Sequence, residues 1–328
     1  MSRREFITLV GSATAAWPLV AWAQPAERGR RIGVLVNFAQ TDPEGQASVA
    51  AFVSTLERLG WIDGRNLRIE YHWSAGESER IKIAAAELVR SAPDVIAVAN
   101  SPSLDALRRL TSTIPLVFTQ VGDAVDAGFV TNLARPGGNI TGFSPFESDM
   151  GGKWLGVLRE AAPNLRRAGV LFGSDTPIDR AMLHSAEAVA PSLGITINAI
   201  NVLDGNIDRT IAEFGSESNG GIMVLPHRYT LANRGSIISL AAGHRLPAVY
   251  PFRYFATEGG LLAYGPDQND QWRGAAIYVD RVLRGERPGD LPVQTPTKFE
   301  TVVNLNTART LGLNIPPSLL ARADEVIE

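Results

Sequence analysis

Arg31-Ile32-Gly33-Val34-Leu35-Val36-Asn37 is a short apolar run closed by a polar residue, the signature of a strand buried on both faces. The period then changes. Val49, Phe52, Val53, Leu56 and Leu59 fall at i, i+3, i+4, i+7 and i+10, one face of a helix that Gly60 would end. The unit repeats: Leu67 to Trp73 is strand-like, Glu77 to Arg90 helix-like around Ile81, Ala84, Ala85 and Leu88, and Asp94 to Ala99 another buried strand. Pro102 to Leu110 has the look of a short helix and Leu116-Val117-Phe118 of the next strand. Buried strands alternating with amphipathic helices predict an α/β fold with a parallel sheet covered on both faces.

Ala134-Arg135-Pro136-Gly137-Gly138-Asn139 breaks the pattern as a turn, and the alternation then restarts. Trp154, Leu155, Leu158, Ala161 and Ala162 mark a helix face, Ala168 to Phe172 a strand, and Met182, Ala186, Val189 and Leu193 a helix. Ile195 to Val202, Gly221 to Leu225 and Pro247 to Tyr250 read as strands, separated by helical stretches at Ile207 to Phe214 and Leu231 to Ala242. Leu261 to Tyr264 is a strand, and Trp272, Ala275, Ala276, Val279 and Leu283 mark a strong helix. A Gly/Pro-rich link from Gly285 to Pro292 leads to an alternating strand, Phe299 to Leu305, and a terminal helical segment. Two doubly wound lobes are expected, with a chain that crosses between them more than once.

The first residues are of another kind. Arg3 and Arg4 precede an apolar run from Phe6 to Val20 that ends in Ala21-Trp22-Ala23, the layout of a secretory signal cleaved after Ala23. That run, interrupted by Gly11 and Pro18, is shorter than the roughly 20 residues that span a bilayer. Ser2 to Ile7 resembles the twin-arginine export signal, with Thr8 departing from its usual lysine. A periplasmic location is expected, with residues 1–23 absent from the mature protein.

The 328 residues carry a net charge of −3 and no cysteine. Loss of the leader removes Arg3, Arg4 and Glu5 and leaves a charge near −4, against a nucleic-acid partner, which would call for a basic face. Thiol catalysis and cysteine-ligated zinc are excluded. GVLVNFAQ stands after the first strand where a dinucleotide site would need G-x-G-x-x-G, and Gly151-Gly152-Lys153 is followed by Trp154 and not Ser or Thr. Gly142-Phe143-Ser144-Pro145-Phe146 lacks the last glycine of a nucleophile elbow. His72, His184, His227 and His244 are scattered without metal-ligand spacing. No cofactor, metal or catalytic residue is therefore expected.

In open parallel sheets ligands sit beyond the carboxyl ends of the strands, where loops and helix N-termini offer backbone N–H groups. Those loops hold Asn37 and Phe38, then Asn100, Ser101 and Ser103, then Gly122 and Asp123, and in the second lobe Ser174, Pro226, Arg228, Tyr229 and Tyr250, with Asp267 after Tyr264-Gly265-Pro266. Each has a plainer role open to it. Ser101 could cap a helix with Pro102 at its first position; Asp123 and Asp267 could be caps or could meet an ammonium group. Phe38, Tyr229, Tyr250 and Phe252 could be core residues or a stacking wall, and Arg228 and Arg253 solvated or a carboxylate clamp.

Long stretches, among them RRIGVLVNF, ERLGWIDGRNLRIEYHW, ARPGGNITGFS, MGGKWLGVL, NGGIMVLP, HRLPAVYPFRYFATEGGLLAYGPD and NLNTARTLGLNIPPSLLARADEVIE, resemble the ABC-transporter substrate-binding proteins of the tryptophan- and tyrosine-binding type. The resemblance covers essentially the whole chain. It implies the type I periplasmic-binding fold: two α/β lobes joined by three crossing segments, near Asn139 to Ser144, Tyr264 to Asp267 and Leu291 to Thr297. Lobe 1 would comprise residues 28–140 plus 266–288, and lobe 2 residues 144–264 plus 293–328. It further implies a monomer that holds a small amino-acid-like ligand, aromatic or similarly planar, and delivers it to the membrane permease of an ABC importer. The alternatives are a protein that presents its ligand to a membrane receptor or sensor kinase, and an exported α/β hydrolase.

Overall fold

The structure, a computed structural model, describes residues 29–146, 149–173, 177–203, 206–296 and 298–328. The expected leader lies outside the described residues, as does Ser174. Among the described residues no helix is long and apolar enough to cross a membrane.

The first sheet is built from β1 (Arg30–Val36), β2 (Leu67–Trp73), β3 (Val95–Ala99), β4 (Leu116–Thr119) and β5 (Ile140–Phe143), ordered β2-β1-β3-β4-β5 with every pair parallel. α1 (Pro43–Arg58), α2 (Ser78–Ser91) and α3 (Ser101–Leu110) connect the first four strands. The alternation of β1 divides its side chains between two layers. Ile32, Val34 and Val36 face α1, whereas Leu35 faces Leu88 of α2 and Leu104 and Leu107 of α3. β5 was expected as part of a turn and crossing; it is a short edge strand. Gly142 is required there, because a Cβ would collide with the Phe118 carbonyl of β4.

The second unit begins with α4 (Met150–Ala161), β6 (Arg167–Phe172), α5 (Pro177–Leu193), β7 (Thr196–Asn201), α6 (Ile207–Gly215) and β8 (Gly220–Val224). It continues through α7 (Arg228–Ala232), α8 (Arg234–Gly243), β9 (Ala248–Tyr250), α9 (Arg253–Thr257) and β10 (Leu262–Pro266). α10 (Gln268–Leu283) follows, and then β11 (Phe299–Asn304), α11 (Leu305–Leu311), α12 (Pro317–Leu320) and β12 (Glu325–Ile327). Seven strands form the sheet β12-β11-β10-β9-β8-β6-β7.

This sheet is parallel from β10 through β7, as expected, with one antiparallel pairing beyond β10. β11 runs antiparallel to β10, with Leu262 opposite Val303 and Pro266 opposite Phe299, and β12, unforeseen as a strand, pairs parallel to β11. An apolar run buried by neighbours carries no sign of its direction. The helical stretch expected from Leu231 is also two helices. Asn233 separates α7 from α8, its side chain donating to the Tyr229 carbonyl at 2.9 Å.

α10 packs on the first sheet, not on the second from which the chain has just come. Its fully buried Trp272 meets Phe52 of α1 edge to face, ring centroids 5.7 Å apart. Asp267 starts this helix by accepting the N–H groups of Asn269 (2.8 Å) and Asp270 (3.2 Å). Between the sheets the chain runs side by side with itself: Ser144 N–H donates to the Gln294 carbonyl and Gln294 N–H to the Gly142 carbonyl, both at 2.9 Å. Tyr278 of α10 braces the pair, donating its hydroxyl to Pro292 O at 2.7 Å and packing on Phe143 at 4.9 Å. Among the described residues the chain thus passes between the sheets at 144–146, at Asp267 and at 284–296.

Candidate functional site

A cavity of about 520 Å³ lies where the carboxyl ends of the two sheets face each other. Its size is that of a small-molecule site. From the first unit come Asn37 after β1, Asn100 and Ser101 at the start of α3, Asp105 and Arg108 further along that helix, and Gln120, Gly122 and Asp123 after β4. Ile178, Asp179 and Met182 of α5, Pro226 and His227 after β8, Leu231 of α7 and Phe252 close it from the second unit, and Pro145 and Phe146 from the first connecting segment.

The polar end is built on strained backbone. Asn100, Gln120 and Asp123 are non-glycine residues at φ +67°, +57° and +49°, a conformation that costs of order 1–3 kcal/mol each and gathers at functional sites. Asn100, not Ser101, caps α3: its Oδ1 accepts the Ser103 N–H at 2.9 Å, and the helix begins at Ser101. Ser101 therefore occupies the first helical position, where N–H groups lack an intrahelical partner and the helix dipole favours an anion. Asn37 Nδ2 donates to Gln120 Oε1 at 3.3 Å, and Gln120 N–H to Gln271 Oε1 at 3.2 Å. Asn37 Oδ1 and Gln120 Nε2 remain buried without a partner, an unused acceptor and donor that a bound polar group would complete.

Two acids border this end. Burial pushes the Asp123 carboxyl above the usual carboxylate range, against the hydrogen bond it accepts from the Asp126 N–H at 3.2 Å, with the Asp126 charge adding to the rise. Asp179, in the first turn of α5, is only 5% exposed. Asp105 differs. Burial works against its charged form, but hydrogen bonds from Arg108 and Arg109 outweigh that and hold its carboxyl below the usual range. Arg108 is tied by Asp105 at 2.8 Å, by the Gly128 carbonyl at 2.8 Å and by the face of Phe129 at 4.6 Å.

The other end is apolar and aromatic. Phe146 and Phe252 lie 5.5 Å apart, and Phe252 stacks on Tyr254 at 5.5 Å. Across the gap, a Cβ on Gly122 would stand 3.4 Å from Ile178 Cγ1, so the two units already touch there. The His227 ring sits against Gly173, whose hydrogen leaves the only room for it, and its Nδ1 accepts the Tyr229 N–H at 3.2 Å. Nδ1 is therefore the unprotonated nitrogen.

Of the residues expected at the cleft, Asn37, Asn100, Ser101, Gly122, Asp123 and Pro226 line the cavity. Others are placed elsewhere. Phe38 is buried against Tyr254 at 6.3 Å, and Ser103 is wholly buried beneath the first turn of α3. Tyr250 stacks on Phe255 at 4.8 Å in the second core, and Tyr229 packs on the same core. Asp267 caps α10, pairs with Arg273 at 2.8 Å and lines a second cavity of about 350 Å³ among the connecting segments. Arg228 opens α7, but its side chain lies outside the described residues, and Arg253 pairs with Glu325 of β12. Gln120 stands directly after β4, in the same strand-end loop as Gly122 and Asp123, but was not among the expected ligand contacts. Sequence reasoning missed Asp179, Phe129 and Phe146: Phe129 is placed by its packing under Arg108, and the other two by how the units meet.

Similar proteins agree with this architecture. The chain is 26% identical over 275 residues to the tyrosine-binding protein of Clostridioides difficile, covering 80% of this chain and 75% of that one. A conserved domain protein from Vibrio cholerae superposes with a TM-score of 0.82 at 26% identity, covering 91% of this chain and 99% of its own. An ABC domain from Streptococcus pneumonia in complex with L-Trp gives 0.83 at 24% identity, with 91% and 100% covered. The model of the ABC transporter substrate binding protein family matches residues 33–327, nearly the whole described chain, and the protein belongs to that family.

Proposed function

We propose that this protein is the exported solute-binding component of an ABC importer, that its ligand is an amino acid with an aromatic or similarly planar side chain, and that the two units close on it without a chemical step. The observation that carries this reading is the division of the cavity into a polar end at Asn100, Ser101, Gln120 and Asp123 and an aromatic end at Phe146 and Phe252. The ligand carboxylate suits the start of α3, where the dipole and the Ser101 N–H favour negative charge. Its ammonium suits Asp123, whose carboxylate lacks a basic partner within salt-bridge distance among the described residues. Arg108, already engaged three ways, is a positioning group for Phe129 and not the carboxylate clamp.

The names of the tyrosine-binding relative and of the tryptophan complex support this choice of ligand class. Export by the Arg3-Arg4 leader, cleavage after Ala23, a periplasmic location, a monomeric state and delivery to a membrane permease complete the reading. The slight negative charge agrees with the absence of a nucleic-acid role in it.

The test is a thermal-shift screen of the mature protein against the amino acids and a panel of small carboxylic acids. A ligand at 100 times its dissociation constant stabilises by about 2.7 kcal/mol. Aromatic amino acids should raise Tm. A clear shift with aliphatic acids and none with any aromatic compound would reject the ligand class.

A further inference from the structure

At the rim of the cleft, beyond Asn37, the two units are joined by charge. Asp42 belongs to the first unit and Arg234 to the second, 192 residues apart in sequence, yet Arg234 Nη2 donates to Asp42 Oδ2 at 3.1 Å. Both side chains are mostly buried, 19% and 14% exposed. Each is also held by its own unit. Asp42 caps α1, its other oxygen, Oδ1, accepting the Glu44 N–H at 2.9 Å. Arg234 donates Nε to both carboxylate oxygens of Glu258, at 2.8 and 2.9 Å, and its guanidinium lies 5.4 Å from the Tyr254 ring. Phe38 of the first unit packs edge-on against that same ring.

We infer that Arg234 and Asp42 form a reversible latch that stabilises the closed clamp and so sets how long a ligand is retained. The inference rests on the solute-binding reading above. The physical case is that both partners are oriented before they meet, so little side-chain freedom is lost on closing. Both also stay satisfied when the units part: Asp42 keeps its cap and Arg234 keeps Glu258. Opening therefore leaves no orphaned buried charge, the situation that makes a buried pair costly to break. The contact is a bias on the open–closed equilibrium, small enough to release cargo. A partly exposed pair of this kind changes populations by about 1.5- to 5-fold.

Asp42→Asn and Arg234→Gln test it. Asparagine caps helices as well as aspartate does, so the first variant keeps α1 intact and removes only the charge that Arg234 meets. Two readouts are needed: interlobe distance in the ligand-free protein by paired spin labels, and dissociation of the amino acid found in the thermal screen by stopped flow. Each variant should shift the distance distribution toward the open form and speed dissociation about 1.5- to 5-fold, and the double variant should do no more than either single one. Unchanged distances and dissociation, or effects that multiply in the double variant, would overturn the latch. If no amino acid binds the wild type, the binding reading fails, while the distance measurement still decides the latch.

Discussion

Replacing Asp123 by Asn removes one charge and little else. The amide oxygen can still accept the Asp126 N–H that now reaches Oδ1 at 3.2 Å, so the left-handed turn at φ +49° keeps its support. The carboxyl of the free protein is raised chiefly by burial, which means that ionised Asp123 costs stability at neutral pH. The sign follows: its contribution to stability is fully present below the unfolded value, about 3.9, and is lost as pH rises through the raised folded value. Asp123→Asn should therefore leave the free protein as stable at pH 7, or slightly more so. Ligand binding should suffer. A charge-assisted hydrogen bond to an ammonium is worth about 1.5–3 kcal/mol, or roughly 10- to 150-fold in Kd. Because the ammonium needs the carboxylate, wild-type affinity should also weaken as pH falls through the raised Asp123 value, with a proton released on binding in that range. Calorimetry from pH 7.5 down to 4.5 on both proteins measures this. Equal affinities at pH 7.5, or the same pH profile in wild type and variant, would refute the assignment of Asp123 to the ammonium.

Gly122→Val places methyl groups where Ile178 Cγ1 already stands 3.4 Å from the Cβ position; it should block closure and weaken binding at least about tenfold by the loss of the closed population, read by the same calorimetry. Trp272→Ala empties the fully buried contact with Phe52 that fixes α10 to the first sheet, and should lower urea stability by about 3–5 kcal/mol. Changing Arg3 and Arg4 together to Lys should abolish export of the folded chain if the leader follows the twin-arginine route, with the uncleaved protein retained in the cytoplasm on fractionation.

The continuous apolar runs around Val34 and Val98 and the helical spacing of Phe52 and Ile81 make the strand–helix order visible without coordinates, because burial on both faces of a parallel sheet leaves no polar alternation in its strands. Direction and partner are not carried that way. β11 alternates as any strand does, and only its entry from the far end of the sheet makes it antiparallel to β10. β5 and β12, four and three residues long, are too short for a period to show. The helix start at Asn100 was displaced by one residue because Ser101-Pro102 is itself a good capping pair; what decided it was the Asn100 side chain reaching the Ser103 N–H.

The site was legible in part for the same reason. Strand ends are fixed by the runs before them, which is why Asn37, Asn100, Gly122, Asp123 and Pro226 were within reach. Aromatics were not. Tyr250 ends β9 and Phe252 stands two residues on, yet Tyr250 stacks on Phe255 inside the core and Phe252 faces the cavity. Phe146 becomes a wall because the first connecting segment brings it against Phe252. Such choices belong to the meeting of two units, which no local pattern encodes.

The most direct measurement of the clamp itself is small-angle scattering of the mature protein during titration with an aromatic amino acid. A hinged pair of units that shuts on its solute should lose radius of gyration in proportion to occupancy, level off at one equivalent, and return the amino acid chemically unchanged. Binding that saturates while the dimensions stay constant, or an amino acid recovered in altered form, would contradict the account.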